Sequence, residues 1–165
     1  MSTPDTTVEL LDKSDRAEQV IKAHLLWTGA AGIIPIPWVD TVAVAGIQVK
    51  MLQKIGMIYG QTLSTYWVKA TIGSLTSGYV AMSIGKGFGL GIVGAVPLVG
   101  GLAKLLLAPG MAAATTYALG RIFIMHFESG GTMLDFDAHK YADKMKEMVA
   151  KGNTVVKELT PTTLP

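Results

Sequence analysis

The chain has 165 residues, 50% of them hydrophobic and only 16% charged, with a mean hydropathy of +0.41 and 19 glycines. Globular domains carry about a quarter charged residues, so the deficit of charge is the informative quantity. The length fits one domain with a real core, and zero cysteines exclude a disulfide framework, a thiolate metal site and a cysteine nucleophile.

The net charge of +2 conceals a partition. Residues 1–21 hold five acids (Asp5, Glu9, Asp12, Asp15, Glu18) against two bases (Lys13, Arg16), and residues 122–165 hold six acids against five lysines. Between them stand seven bases (Lys22, Lys50, Lys54, Lys69, Lys86, Lys104, Arg121) and one acid, Asp40. The charge-free runs Leu25–Val39, Ala70–Gly85, Gly87–Ala103 and Leu105–Gly120 are 15 to 17 residues long, short of the roughly 18 to 20 of a spanning helix. A buried bundle in water tolerates such runs but has no reason to exclude acids. An anionic bilayer surface does, because it attracts cations and repels carboxylates; lysines flanking apolar stretches extend their ammonium groups to the headgroups.

Helical periodicity predicts five segments. Residues 1–13 read as a flexible acidic terminus, polar rather than a secretory signal, which leaves a cytoplasmic face as the default. The first helix is expected from Ser14, an N-cap followed by Asp15 and Glu18, through Val20, Ile21, His24, Leu25 and Trp27 to about Ile34. Pro35-Ile36-Pro37 then makes a corner, with Pro37 free to sit at the first position of the next helix. That second helix, about Trp38 to Tyr59, places Ala43, Gly46, Lys50, Gln53 and Lys54 on one side and Val44, Ile47, Met51, Ile55 and Ile58 on the other. Asp40 reads as a first-turn carboxylate satisfying free N–H groups.

Gly60 closes the second helix, and a third begins around Thr62 to Tyr66 and continues past Trp67, Ile72, Val80 and Met82. From Gly85 to Gly101 there are seven glycines in 17 residues, too many for a stable helix in water. In lipid, Gly85/Gly89 and Gly87/Gly91 fit the small-xxx-small spacing, so this run, with Gly94, is expected as a close-packed apolar hairpin that mediates self-association between Lys86 and Lys104. A fourth helix, about Leu98 to Phe127, is interrupted at Ala108-Pro109-Gly110. The fifth is expected over Leu134–Lys151, with Thr132-x-x-Asp135 as a capping box and Gly152 as its stop, ahead of a Thr/Pro-rich tail over 153–165.

Several motifs dissolve on inspection. Gly89-x-Gly91-x-x-Gly94 lacks both a surrounding strand unit and an acid some 20 residues on, so it is no dinucleotide fingerprint. Gly85-Lys86 has Val80 and Gly87 where a phosphate loop needs glycine and Ser/Thr. His24, His126 and His139 lie on different segments without carboxylates at ligand spacing, so no metal, cofactor or catalytic residue is expected. The bases are too dispersed for a nucleic-acid groove.

Four stretches carry a resemblance: Pro35-Ile36-Pro37-Trp38-Val39-Asp40, Gln48-Val49-Lys50-Met51, Ile58-Tyr59-Gly60, and Thr115-Thr116-Tyr117-Ala118-Leu119-Gly120. Together, over about Gln19 to Asp137, they resemble the bacterial family catalogued as domain of unknown function 697. The resemblance implies a helical fold, membrane association and kinship with modules attached to small GTPase domains. This chain carries no GTPase motif, so any GTPase partner would act in trans.

The expectation is therefore an all-α, membrane-associated bundle of about five helices, over residues 14–152, that binds anionic lipid, forms homo-oligomers and organises a bilayer without enzymatic chemistry. Lys50, Lys54, Lys69, Lys86, Lys104, Arg121, Trp27, Trp38 and Trp67 are the expected membrane contacts. Pro35, Pro37 and Asp40 form the structural corner. A GTPase adaptor is one alternative, and a pore lined by Thr71, Ser74, Thr76, Ser77 and Ser83 is another, with a soluble bundle as the plainest case.

Overall fold

The computed structural model describes residues 4–31, 37–85 and 111–159. Among these the chain is all-α, with five helices and one 3-10 turn: α1 (Pro4–Ala31), α2 (Pro37–Ile58), α3 (Thr65–Gly85), α4 (Met111–Glu128), the turn Ala138–Tyr141 and α5 (Ala142–Leu159). The chain contains no described helix long and apolar enough to cross a membrane. Pro35 and residues 86–110, hence Lys86, Lys104, Gly87, Gly89, Gly91, Gly94 and the expected hairpin, lie outside the described residues, as does the first part of the expected fourth helix.

α4 is the centre. Twelve of its 18 residues are buried, and it packs on α5, α1 and α2. A helix apolar nearly all round has no solvent stripe to spare, which is why it sits inside rather than at the rim. Phe123, Ile122, Ile124 and Leu119 are fully buried, and they meet Ile21 of α1, Met51, Leu52 and Ile55 of α2, Val68 and Leu75 of α3, and Met145 and Val149 of α5. One polar link crosses this core, Gln48 Nε2 donating to Thr116 Oγ1 at 3.0 Å, while Thr116 donates to the Ala112 carbonyl at 2.8 Å.

Local chemistry sets the helix ends. Pro37 opens α2, as expected, where its missing N–H costs no helical bond. Past Ile58 the chain closes with Gly60 N bonded to Met57 O and Gln61 N to Gly56 O; Gly60 sits at φ +73°, the left-handed residue this closure needs. Ser64 caps α3 by accepting from Trp67 N at 3.2 Å. α4 ends in the same way as α2, with Gly130 at φ +83° and Gly131 N bonded to His126 O.

Three boundaries differ from expectation. α1 begins at Pro4 and not Ser14, so residues 4–13 are helical; the pairs Glu9–Lys13 (2.6 Å) and Asp12–Arg16 (3.7 Å) brace this stretch at i,i+4 spacing. Thr132 and Asp135 do bond, Thr132 N and Oγ1 both donating to Asp135 Oδ1, but they build a turn ahead of the helix. Asp137 caps the 3-10 turn instead, accepting from His139 N at 3.0 Å. Gly152 does not stop α5, which runs on to Leu159, because a glycine buried against a neighbouring backbone is a packing residue rather than a terminator.

Glu147 bridges Lys144 (2.7 Å) and Lys151 (2.9 Å), and those bonds hold its carboxyl down at about 2. The Thr132 hydroxyl and N–H hold Asp135 below its usual range. Both values are depressed by folding, so their contribution is complete above the ordinary carboxylate range and lost as pH falls through it toward about 2. The melting temperature is expected to fall on acidification over that window, modestly because both carboxylates face solvent. Glu147→Gln should flatten the fall in a pH series of thermal melts, and an unchanged slope would remove Glu147 from the account.

Candidate functional site

α2 presents its bases as the wheel predicts. Lys50, Lys54 and Gly46 are exposed, Ala43 and Gln53 half-buried, and Val44, Met51 and Ile55 buried, with Ile47 and Ile58 half-buried. Lys69 is exposed on α3 and Lys22 on α1. Among the described residues none of these four lysines has a carboxylate partner. Arg121 differs: it pairs with Glu18, tying α4 to α1, and so is half-buried inside the bundle rather than turned to a surface.

The tryptophans part company too. Trp27 is 70% exposed. Trp67 is instead half-buried, edge-on to Phe123 (5.9 Å) and Phe136 (5.8 Å), so it belongs to the core and not to an outer contact. Trp38 and Asp40 lie in the first turn of α2, and Gly85 ends α3, with their side-chain surroundings outside the described residues. Of the expected pore-lining hydroxyls on α3, Thr71 is buried, Thr76 half-buried and Ser74 and Ser77 exposed, and the side chain of Ser83 lies outside the described residues.

Beside the Lys50–Lys54 face, α1 and α2 leave a groove of about 520 Å³ between them. Arg16, Gln19, Val20, Ala23 and His24 form one wall, and Lys54, Met57 and Ile58 the other. His24 Nδ1 donates to the Val20 carbonyl at 2.7 Å, which fixes the ring against its own helix. Trp27 follows Ala23 and His24 by one turn, and Met57 is 63% exposed. The wheel of α2 placed Lys54 and Ile58 on opposite sides, and that both border a groove with Arg16, Val20 and His24 of α1 is a contact between helices, which periodicity within one helix does not carry.

A second polar centre lies where α4 meets the 129–137 connection. His126 is only 4% exposed. Its Nε2 donates to the Thr132 carbonyl at 2.8 Å, and in the neutral ring this leaves Nδ1 to accept from Tyr141 Oη at 2.9 Å. Phe127, Phe136 and Tyr141 surround the ring, and a Cβ on Gly131 would collide with it. With both nitrogens bonded, His126 is a latch and not a free base or ligand. Among the described residues no cluster of three His, Asp or Glu is placed to hold a metal ion. Nearby, burial, with the Glu128 carboxylate beside it, raises the Tyr59 hydroxyl above its ordinary value and keeps it a neutral donor to Glu128 at 3.3 Å.

These features define a helical bundle with a latched corner and an unpaired basic face. The chain belongs to the family described as "Domain of unknown function (DUF697)", whose profile matches residues 8–154. It is similar to magnetosome membrane protein 22 of Magnetospirillum gryphiswaldense, with 32% identity over 154 residues that cover 93% of this chain and 79% of that protein. No solved structure matches it.

Proposed function

We propose that this protein is a non-enzymatic, membrane-associated structural protein that docks on the cytoplasmic side of an anionic bilayer and self-assembles to organise or shape it. The observation that carries the reading is the set of exposed lysines without carboxylate partners among the described residues, Lys22, Lys50, Lys54 and Lys69, in a stretch of sequence with one acid. A soluble bundle usually pairs or intersperses such charges, whereas each base near an anionic surface contributes about 1 kcal/mol. The similarity to a protein named for a membrane supports the same reading.

The test is sedimentation with vesicles of phosphatidylcholine alone or mixed with phosphatidylglycerol, followed by negative-stain imaging of the bound protein. Binding is expected to the mixed vesicles, with regular assemblies or tubules in the images. Lys50→Glu with Lys54→Glu should weaken that binding far more than any binding to neutral vesicles. Small isolated particles on undeformed vesicles would point to an adaptor, and no sedimentation with either lipid would end the membrane reading.

A further inference from the structure

The groove between α1 and α2 joins apolar and cationic side chains. Its floor is apolar, from Val20, Ala23, Met57 and Ile58, and its rim carries Arg16 and Lys54. Among the described residues Lys54 has no carboxylate partner. Arg16 has one only at long range, Asp12 at 3.7 Å, with both side chains more than half exposed, a pair too weak to hold the guanidinium against a better anion. Elsewhere on α1, Glu9 pairs with Lys13 and Glu18 with Arg121, while Asp15 is exposed to solvent. Exposed apolar side chains stand beside the groove, Leu26 at 63%, Trp27 at 70% and Met57 at 63%.

Cationic rim, apolar floor and flanking tryptophan together select an occupant that is anionic at one end and apolar at the other. An acidic peptide would answer the charges but leave Leu26 and Trp27 in water. A phospholipid at a bilayer surface answers both, since tryptophan favours the headgroup level, with its ring against acyl carbon and its N–H toward water.

We propose that the α1–α2 groove seats the phosphate of an anionic phospholipid between Lys54 and Arg16, with Trp27, Leu26 and Met57 entering the glycerol–acyl boundary. The lipid is then held at the α1–α2 face. This rests on the membrane reading above and adds to it a defined seat in place of diffuse adsorption.

Two kinds of substitution separate a seat from diffuse adsorption. Lys54→Gln and Arg16→Gln each remove one rim charge, whereas Lys146→Gln removes an exposed charge from α5, away from the groove. Ala23→Trp fills the groove and adds an interfacial side chain, so adsorption predicts stronger binding and a seat predicts weaker. Ala23 is exposed, so the bundle should melt as before. With vesicles of phosphatidylcholine and phosphatidylglycerol, Lys54→Gln and Arg16→Gln should each weaken binding about fivefold, the equivalent of one base near an anionic surface. Ala23→Trp should weaken it at least as much, while Lys146→Gln leaves it unchanged.

Equal loss of binding in Lys146→Gln and Lys54→Gln, or stronger binding of Ala23→Trp, would overturn the seat and leave the membrane reading standing. Failure of the unmodified protein to bind any vesicle would overturn both. Capture of poly-glutamate in place of vesicles, lost in Lys54→Gln, would assign the groove to an acidic protein segment and overturn the lipid.

Discussion

Replacing Gly152 with alanine is expected to destabilise the protein, although alanine is the better helix former. Gly152 is buried within α5, and a Cβ there would lie 2.7 Å from the Ala114 carbonyl oxygen and 2.9 Å from Ala114 Cα. Those are backbone atoms of the central helix, so relief requires α4 and α5 to separate rather than a side chain to rotate. Overpacking of this kind costs about 1–3 kcal/mol, against a gain of about 1 kcal/mol at most from helix propensity. The net loss, read as a fall of several degrees in melting temperature, should grow sharply with Gly152→Val. Gly46 provides the opposite case: it is exposed in α2 with nothing within 4 Å of an added Cβ, so Gly46→Ala should raise the melting temperature. A rise in both variants would show that α4 and α5 are not in close contact at Gly152.

The same contrast explains what could be read from the residues alone. The two faces of α2, the first-turn proline at Pro37 and the closing glycine at Gly60 follow from periodicity and backbone chemistry, which are local properties. Close approach between helices is not local. The glycines expected to pack backbones were those of the 85–94 run, whereas the described bundle uses Gly152 against Ala114 and Gly120 against Ile21, where a Cβ would lie 2.6 Å from Ile21 Cγ1. Gly120 was visible as the end of the Ala-Leu-Gly motif, but nothing in its neighbours names the isoleucine 99 positions earlier. Arg121 and Trp67 show the same limit. A base beside an apolar run and a tryptophan near a helix start look like interface anchors until Glu18, Phe123 and Phe136 are seen beside them.

The His126 latch is the other place where a single change should have a large effect. Without this side chain, the Thr132 carbonyl loses its donor and the Tyr141 hydroxyl its acceptor, and Phe127, Phe136 and Tyr141 border a void. Thr132 and Tyr141 are half-buried, so their lost bonds cost toward the low end of about 1–3 kcal/mol each; the void left by a fully enclosed ring adds to that, and His126→Ala is expected to lose about 3 kcal/mol. Tyr141→Phe keeps the ring stacked on Phe136 at 5.2 Å and removes one bond, for a loss nearer 1 kcal/mol. Because the two side chains share that bond, Tyr141→Phe should cost less in the His126→Ala background than alone, a coupling that a double-mutant cycle reads directly. His139 is exposed, so His139→Ala serves as the neutral control. The loss should also be local: with the latch gone, the 129–137 connection should become a protease-sensitive site before the bundle melts. Equal costs for His126→Ala and His139→Ala, or an unchanged cleavage pattern, would mean that the turn is held by its Thr132–Asp135 bonds alone and that α5 docks on α4 through Met145, Met148 and Val149 without help from the histidine.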